Sequence, residues 1–260
     1  MITSKDNEKL KLVRKLQQRR HRDREGMFVT EGEDLLEAGV AAGVEPVALL
    51  TLEGEGLGGE AVAADALGSV STLGSGTRAV AVWRQAWSPV EGPVCVYLHG
   101  VADPGNVGAI VRTTNALVGG TVVLGPECAD PYGPKAVRAT MGSIFTQPLA
   151  RAGIEETPKP RIALVAHGGE PIDSLSINAE YLSTSRQEGD RAFQGSPSTQ
   201  PQSGLTLVLG SERGGVPPEV VEAADERVTI PLRTGAAESL NVAAAAAIAL
   251  QRISSEAARA

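Results

Sequence analysis

An α/β fold built on a mainly parallel sheet is predicted by three features of this sequence. The first is alternation. From residue 94 to residue 253, apolar runs of strand length take turns with stretches of helical periodicity, the pattern of parallel strands joined by helical crossovers. The second is the way those runs stop. Leu205, Leu207, Val208 and Leu209 give way to Gly210 and the polar turn Ser211-Glu212-Arg213-Gly214-Gly215; Val94, Val96, Tyr97 and Leu98 give way to His99-Gly100 and the turn Asp103-Pro104-Gly105-Asn106. In an open α/β sheet, ligands bind in the crevice outside such carboxyl ends. The third is a smaller α/β unit upstream. The prediction is therefore two domains, 1–85 and 94–260, with a linker over 86–93 marked by Pro89 and Pro93.

Taken in order, residues 7–20 read as one amphipathic helix, with Leu10, Val13 and Leu16 on one face and basic residues opposite. Gly26 breaks it. Residues 27–32 form a short strand ending in Glu31-Gly32, 33–42 return to helical periodicity, 44–52 are a strand candidate and 54–59 a glycine-rich turn. Residues 79–82 are the last strand of this unit. In the second domain, strands at 94–98, 121–124, 161–166, 205–209 and 228–230 alternate with helices at 107–117, 134–142, near 177–182, and 242–250. Residues 184–204, rich in Ser, Gln, Gly and Pro and without periodicity, read as a disordered surface insertion that carries no chemistry.

With 260 residues there is room for a sizeable core, and because aromatics make up only 3% of them, Val, Leu, Ile and Ala must fill it. The longest apolar run, 242–250, is rich in alanine and too short to span a membrane. The N-terminus is charged within five residues and has no apolar core, so no secretory signal is expected. Cys95 and Cys128 give neither a disulfide framework nor zinc spacing, and the three histidines are scattered, so a reduced cytoplasmic setting without a metal is expected.

Charge is distributed unevenly. Nine basic residues against four acidic ones make residues 1–25 +5, which leaves −12 for the rest of a chain whose net charge is −7. A basic head on an acidic body concentrates attraction for phosphate in one place. Lys9, Arg14, Arg19, Arg20 and Arg22 are the candidate RNA contacts there, with Arg138 on the 134–142 helix beside Lys135. A solvated helix face is the plain alternative for both groups.

The remaining candidates sit at junctions. Asn106 precedes the 107–117 helix by one residue, which suits an N-cap; Ser239 and Asn241 stand where the 242–250 helix begins, where caps are also expected. Val107, Ile110 and Val111 make an apolar stripe and Arg112 lies off it. Glu212 occupies the tight turn after Leu209, and Gly125 ends the 121–124 strand.

The set NVGAIVR (Asn106, Gly108, Arg112), GSERGG (Gly210, Glu212, Gly214) and SLN (Ser239, Asn241) resembles, in order and placement, the three motifs of the SpoU/TrmH branch of the SPOUT RNA methyltransferases, over about residues 94–253. The pattern ITSKDN…REGMFVTEG is similar to the N-terminal substrate-binding domain of the ribosomal-RNA members, a small α/β module akin to a ribosomal protein. The resemblance implies S-adenosylmethionine as cofactor and methylation of a ribose 2′-hydroxyl, in 23S ribosomal RNA because transfer-RNA members usually lack such a domain. It also implies a SPOUT-type sheet tied in a deep trefoil knot, and a homodimer formed through the region of the alanine-rich helix.

The resemblance makes Asn106, Arg112, Glu212, Ser239 and Asn241 the catalytic set. It makes Leu209, Gly210, Ile230, Leu232 and Leu240 cofactor-binding, with Gly125 as a further candidate. Arg112 suits electrostatic stabilisation of the attacking oxygen rather than base catalysis, because arginine stays protonated in proteins. A transfer-RNA 2′-O-methyltransferase and a catalytically silent RNA-binding homologue are the alternatives. The silent one would not need Arg112, Glu212 and Asn241 together. A nucleotide-dependent enzyme would need a phosphate loop, and the sequence contains no GxxxxGK[ST].

Overall fold

The computed structural model describes residues 1–73, 76–176, 204–233, 235 and 239–257, packed as two compact units. The helix expected near 177–182 and residues 184–203 of the insertion lie outside the described residues.

One unit comprises Met1–Ala86, Asp103–Arg112 and Ala129–Thr146. Helix α1 (Glu8–Leu16) starts where Asn7 accepts a hydrogen bond from the Lys9 N–H, and it buries Leu10, Val13 and Leu16. The single helix expected over 7–20 is in fact two. The chain turns extended at Gln18, and α2 (Arg19–Glu25) ends on Gly26 in the left-handed region at φ 61°. The apolar stripe that drives α1 stops at Leu16; α2 buries only Arg22. Strands β1 (Met27–Glu31), β2 (Ala48–Leu52), β3 (Glu60–Val62) and β4 (Ala79–Arg84) form a sheet in the order β1-β4-β2-β3, antiparallel except for β2 with β3.

Helix α1 and the short α4 (Ala64–Gly68) contribute to the core cluster that holds Val29, Leu50, Val80 and Val82. Phe28 and Trp83 pack with Tyr132 and Phe145, and α3 (Glu33–Ala41) comes so close that a Cβ on Gly39 would stand 2.5 Å from the Trp83 ring. Helix α6 (Pro134–Thr140) belongs to this unit, with Ala136, Val137 and Thr140 buried. Helix α5 (Pro104–Leu117) begins in this unit, up to Arg112, and its remainder falls in the other.

The second unit is organised on a seven-stranded, all-parallel sheet in the order β7-β6-β5-β10-β8-β11-β9. Its strands are β5 (Val94–Leu98), β6 (Val122–Leu124), β7 (Leu149–Arg151), β8 (Arg161–Leu164), β9 (Glu170–Pro171), β10 (Leu205–Leu209) and β11 (Glu226–Thr229). Every residue of β5 and β10 is buried, as continuous apolar runs covered on both faces should be. Strand β10 comes late in the chain yet lies between β5 and β8, in a register that sets Leu209 beside Leu98. Their carboxyl ends, and those of β8 and β11, therefore open along one edge.

The stretch 86–93, expected as a linker, is hydrogen-bonded into this unit from Ser88 onward. The Ser88 N–H donates to the Leu149 carbonyl at 2.8 Å, and the Thr121 N–H donates to the Glu91 carbonyl at 3.0 Å. Strands β3, β7 and β9 and helices α4 and α7 (Pro218–Glu222) are not foreseen from periodicity. At two to five residues each, they are too short to carry a period.

Candidate active site

A cleft of about 650 Å³ opens at the carboxyl ends of β8, β10 and β11, closed on one side by the start of α8 (Val242–Ala257). Leu209, Gly210, Glu212, Ile230, Leu232, Ser239 and Leu240 all line it. The loop after β10 is a tight reversal: Ser211 and Gly215 exchange backbone hydrogen bonds at 2.9 and 3.0 Å, and the Ser211 hydroxyl accepts from the Gly214 N–H at 2.9 Å. Gly210 makes the reversal possible, because a Cβ there would stand 2.1 Å from the Gly215 carbonyl carbon and oxygen. The resemblance assigns this turn to S-adenosylmethionine, so Gly210→Ala, which must open it, is expected to lower S-adenosylmethionine affinity about tenfold or more, equivalent to ~1.4 kcal/mol. Calorimetric titration checks this; an unchanged dissociation constant would mean that the turn plays no part in binding.

Asn241 caps α8, its side-chain oxygen accepting from the Ala243 and Ala244 N–H groups at 2.9 and 3.3 Å. That places its neighbours Leu240 and Val242 on the cleft wall. One wall was not anticipated: residues 164–168, where β8 runs out through Ala166 and His167 into Gly168. The signal was available, since this is another apolar strand ending in a glycine turn. Arg213 and Arg227 also line the cleft.

Gly125 stands apart from the other cofactor-binding candidates. It is absent from the described lining, and a Cβ there would lie 2.3 Å from the Tyr97 hydroxyl and 2.8 Å from the Leu98 carbonyl oxygen. The glycine makes room for a buried tyrosine. Burial pushes that phenol up to about 12 and the Cys95 thiol up to about 11, so neither supplies a base or thiolate near neutral pH.

Helix α5 begins three residues earlier than expected, and this moves Asn106. The cap is Asp103, whose Oδ1 accepts from the N–H groups of Gly105 at 2.7 Å and Asn106 at 3.1 Å, with Pro104 at the first helical position. Asn106 is thus a half-buried residue of the first turn, not the N-cap. Arg112 is exposed, two turns further on, while Val107, Ile110 and Val111 are fully buried. The Lys135 ammonium, with help from the two N–H groups, holds Asp103 below the usual carboxylate range. Its contribution to stability is present above the unfolded-state pKa and is lost as pH falls through the lowered folded value.

Residues 93–251 match the SpoU rRNA Methylase family, and residues 7–80 match the MRM3-like substrate binding domain. The chain belongs to the SpoU rRNA methylase family. RlmP of Bacillus subtilis, a 23S rRNA (guanosine(2553)-2′-O)-methyltransferase, is 29% identical over 268 residues, covering 95% of this chain and 96% of the relative. A 23S rRNA (adenosine(1067)-2′-O)-methyltransferase of Streptomyces azureus is 32% identical over 156 residues, which span 60% of this chain and 52% of that enzyme. The crystal structure of an AdoMet-bound rRNA methyltransferase from Sinorhizobium meliloti matches with a TM-score of 0.76 at 28% identity, covering 96% of this chain and 95% of that one.

In this SpoU methylase the basic head divides into surface and interior. Arg20 is exposed, Arg19 faces Asp23 at 3.6 Å, Lys9 pairs with Glu60, and Arg14 donates to Ser69 at 3.2 Å. Arg22 is the exception, and the expectation that it meets RNA is corrected. It is 4% exposed, its guanidinium bonds Asp130 at 2.7 and 2.8 Å, and it donates to the Leu16 carbonyl at 2.7 Å. A guanidinium so deeply buried against a carboxylate is out of reach of a phosphate. Arg138 is half-buried and donates to Thr72 at 3.1 Å. Among the described residues, no three His, Cys, Asp or Glu side chains cluster as a metal site would require, and no helix is long and apolar enough to cross a membrane.

Proposed function

We propose that the cleft at the ends of β8, β10 and β11 holds S-adenosylmethionine, and that the RNA methylated is 23S ribosomal RNA. The chain is an S-adenosylmethionine-dependent RNA 2′-O-ribose methyltransferase. The observation that carries this reading is the cleft itself, set at the strand ends of a chain that matches the SpoU family over 93–251. Its walls fit the donor. Leu209, Ile230, Leu232 and Leu240 offer apolar surface for a purine, and the backbone around Gly210 offers hydrogen-bonding groups for its edge.

The bound donor supplies an electrophilic sulfonium methyl. The residues of the chain must position the ribose hydroxyl in line and stabilise charge as its proton departs. Arg112 stabilises the developing alkoxide as a permanent cation, and water or a phosphate oxygen takes the proton. Asn106 and Glu212 orient that guanidinium and the ribose. Ser239 and Asn241 complete the site from the start of α8. Residues 1–85 bind substrate and 94–260 carry the transfer, as the matches over 7–80 and 93–251 support.

The deep trefoil knot, the homodimer, the absence of a resident metal and the cytoplasmic setting belong to the same reading. Exposed Ala244 and Ile248, four residues apart on α8, leave an apolar stripe suited to a second copy. Three measurements test the proposal: calorimetry with S-adenosylmethionine, mapping of radiolabelled methyl in total RNA lacking the modification, and molar mass in solution. Binding without transfer to any RNA would leave a silent homologue, and label in transfer RNA alone would overturn the ribosomal target. For the head, replacing Arg19 and Arg20 with glutamine should weaken RNA binding and reduce the salt slope by about one for each phosphate no longer neutralised. If the slope is unmoved, the head is a solvated face.

A further inference from the structure

Catalysis by Arg112 needs α5 to be held in one orientation, and the groups that hold it lie on α6. At Gly108 the two helices touch: a Cβ there would stand 2.3 Å from the Ala136 carbonyl oxygen and 2.7 Å from the Ala139 Cβ. One such touching point sets a distance but leaves a pivot. The pivot is closed at Asp103, where the carboxylate that caps α5 also accepts from Lys135 Nζ at 2.7 Å. Helix α6 is itself fixed on another side, because Arg138 donates to Thr72, and Thr72 is held by the Glu31 carboxylate through its N–H at 2.9 Å and its hydroxyl at 2.6 Å.

Asp103 lies five residues before Gly108 and Arg112 four residues after it, roughly 7.5 and 6 Å along the axis at 1.5 Å per residue. A tilt that moves the capped end moves the arginine by a comparable amount in the opposite sense. Misplacement of a reacting group by ~1 Å costs about a hundredfold in rate. The stability gained is small by comparison, since the two side chains are 60% and 44% exposed and such pairs contribute about 0–1 kcal/mol.

We propose that Asp103 and Lys135 are positioning residues for Arg112, an ion pair between α5 and α6 that fixes the catalytic helix about its close approach at Gly108. The inference rests on the role given to Arg112 above. Asp103→Asn keeps a good helix cap and loses the charge; Lys135→Met loses the ammonium and keeps the stem. Each is expected to lower kcat about tenfold, with S-adenosylmethionine affinity, KM for RNA and melting temperature nearly unchanged. The double variant should be no worse than either single one, and Lys135→Arg should restore turnover to within about twofold.

In an Arg112→Ala background, Lys135→Met should have no further effect. An equal loss in that background, an unchanged kcat in the single variants, or a rise in KM for RNA alone overturns the positioning role, the last by making Lys135 a phosphate ligand. Near-normal turnover in Arg112→Ala alone is a different failure, since it removes the role of the arginine and not the ion pair.

Discussion

Replacing Arg112 by alanine should lower the turnover of methyl transfer about a thousandfold while leaving the affinity for S-adenosylmethionine within about twofold of the parent. The magnitude is that of removing one preorganised group from a developing oxyanion. The asymmetry between the two readouts follows from the residue sets. The donor is assigned to Leu209, Gly210, Ile230, Leu232 and Leu240, which line the cleft, and Arg112 is not in its described lining. Arg112 is exposed on α5, so the variant should fold normally and the lower rate should reflect the missing charge. Single-turnover kinetics with calorimetry on the same preparation make the comparison. Parallel losses in binding and rate would assign the arginine to holding the donor instead.

The largest effect on stability is expected at Asp130. Asp130→Ala leaves the Arg22 guanidinium, 4% exposed, with the Leu16 carbonyl as its one remaining hydrogen-bond partner among the described residues. Breaking a buried pair from one side costs about 3–5 kcal/mol, because the other charge stays desolvated. For a chain of this size that corresponds to a fall of roughly 10 °C in melting temperature. The loss should appear in thermal unfolding and leave the salt dependence of RNA binding by the folded fraction unchanged. A change below about 1 kcal/mol would mean that water replaces the carboxylate. Asp130 also accepts from the Tyr132 N–H at 3.0 Å, so part of the loss comes from the loop before α6.

These two arginines show where the sequence can be read and where it cannot. Arg112 is marked by its neighbours: an apolar stripe at Val107, Ile110 and Val111 defines the helix face, and the arginine falls off it. Arg22 looks in the sequence like Arg19 and Arg20. What separates them is Asp130, 108 residues away. The start of α5 is a third kind of case. Asp103-Pro104 is itself a cap followed by a first-turn proline, but the same four residues also read as a β-turn, and Asn106 offered a competing cap. The carboxylate prevails because it accepts from two first-turn N–H groups, with Pro104 set for the first helical position.

Whatever depends on residues a few positions apart could be taken from the chain alone: the buried runs of β5 and β10, the reversal after Leu209, the cap at Asn241, and the motifs at those junctions. Folding settled the rest, namely the insertion of β10 between β5 and β8, the wall supplied by residues 164–168, the close fit of Gly125 to Tyr97, and the burial of Arg22. The division has a physical cause. Periodicity and capping act within a turn or two, whereas the desolvation of a charge and the closing of a cleft depend on partners that only packing brings near.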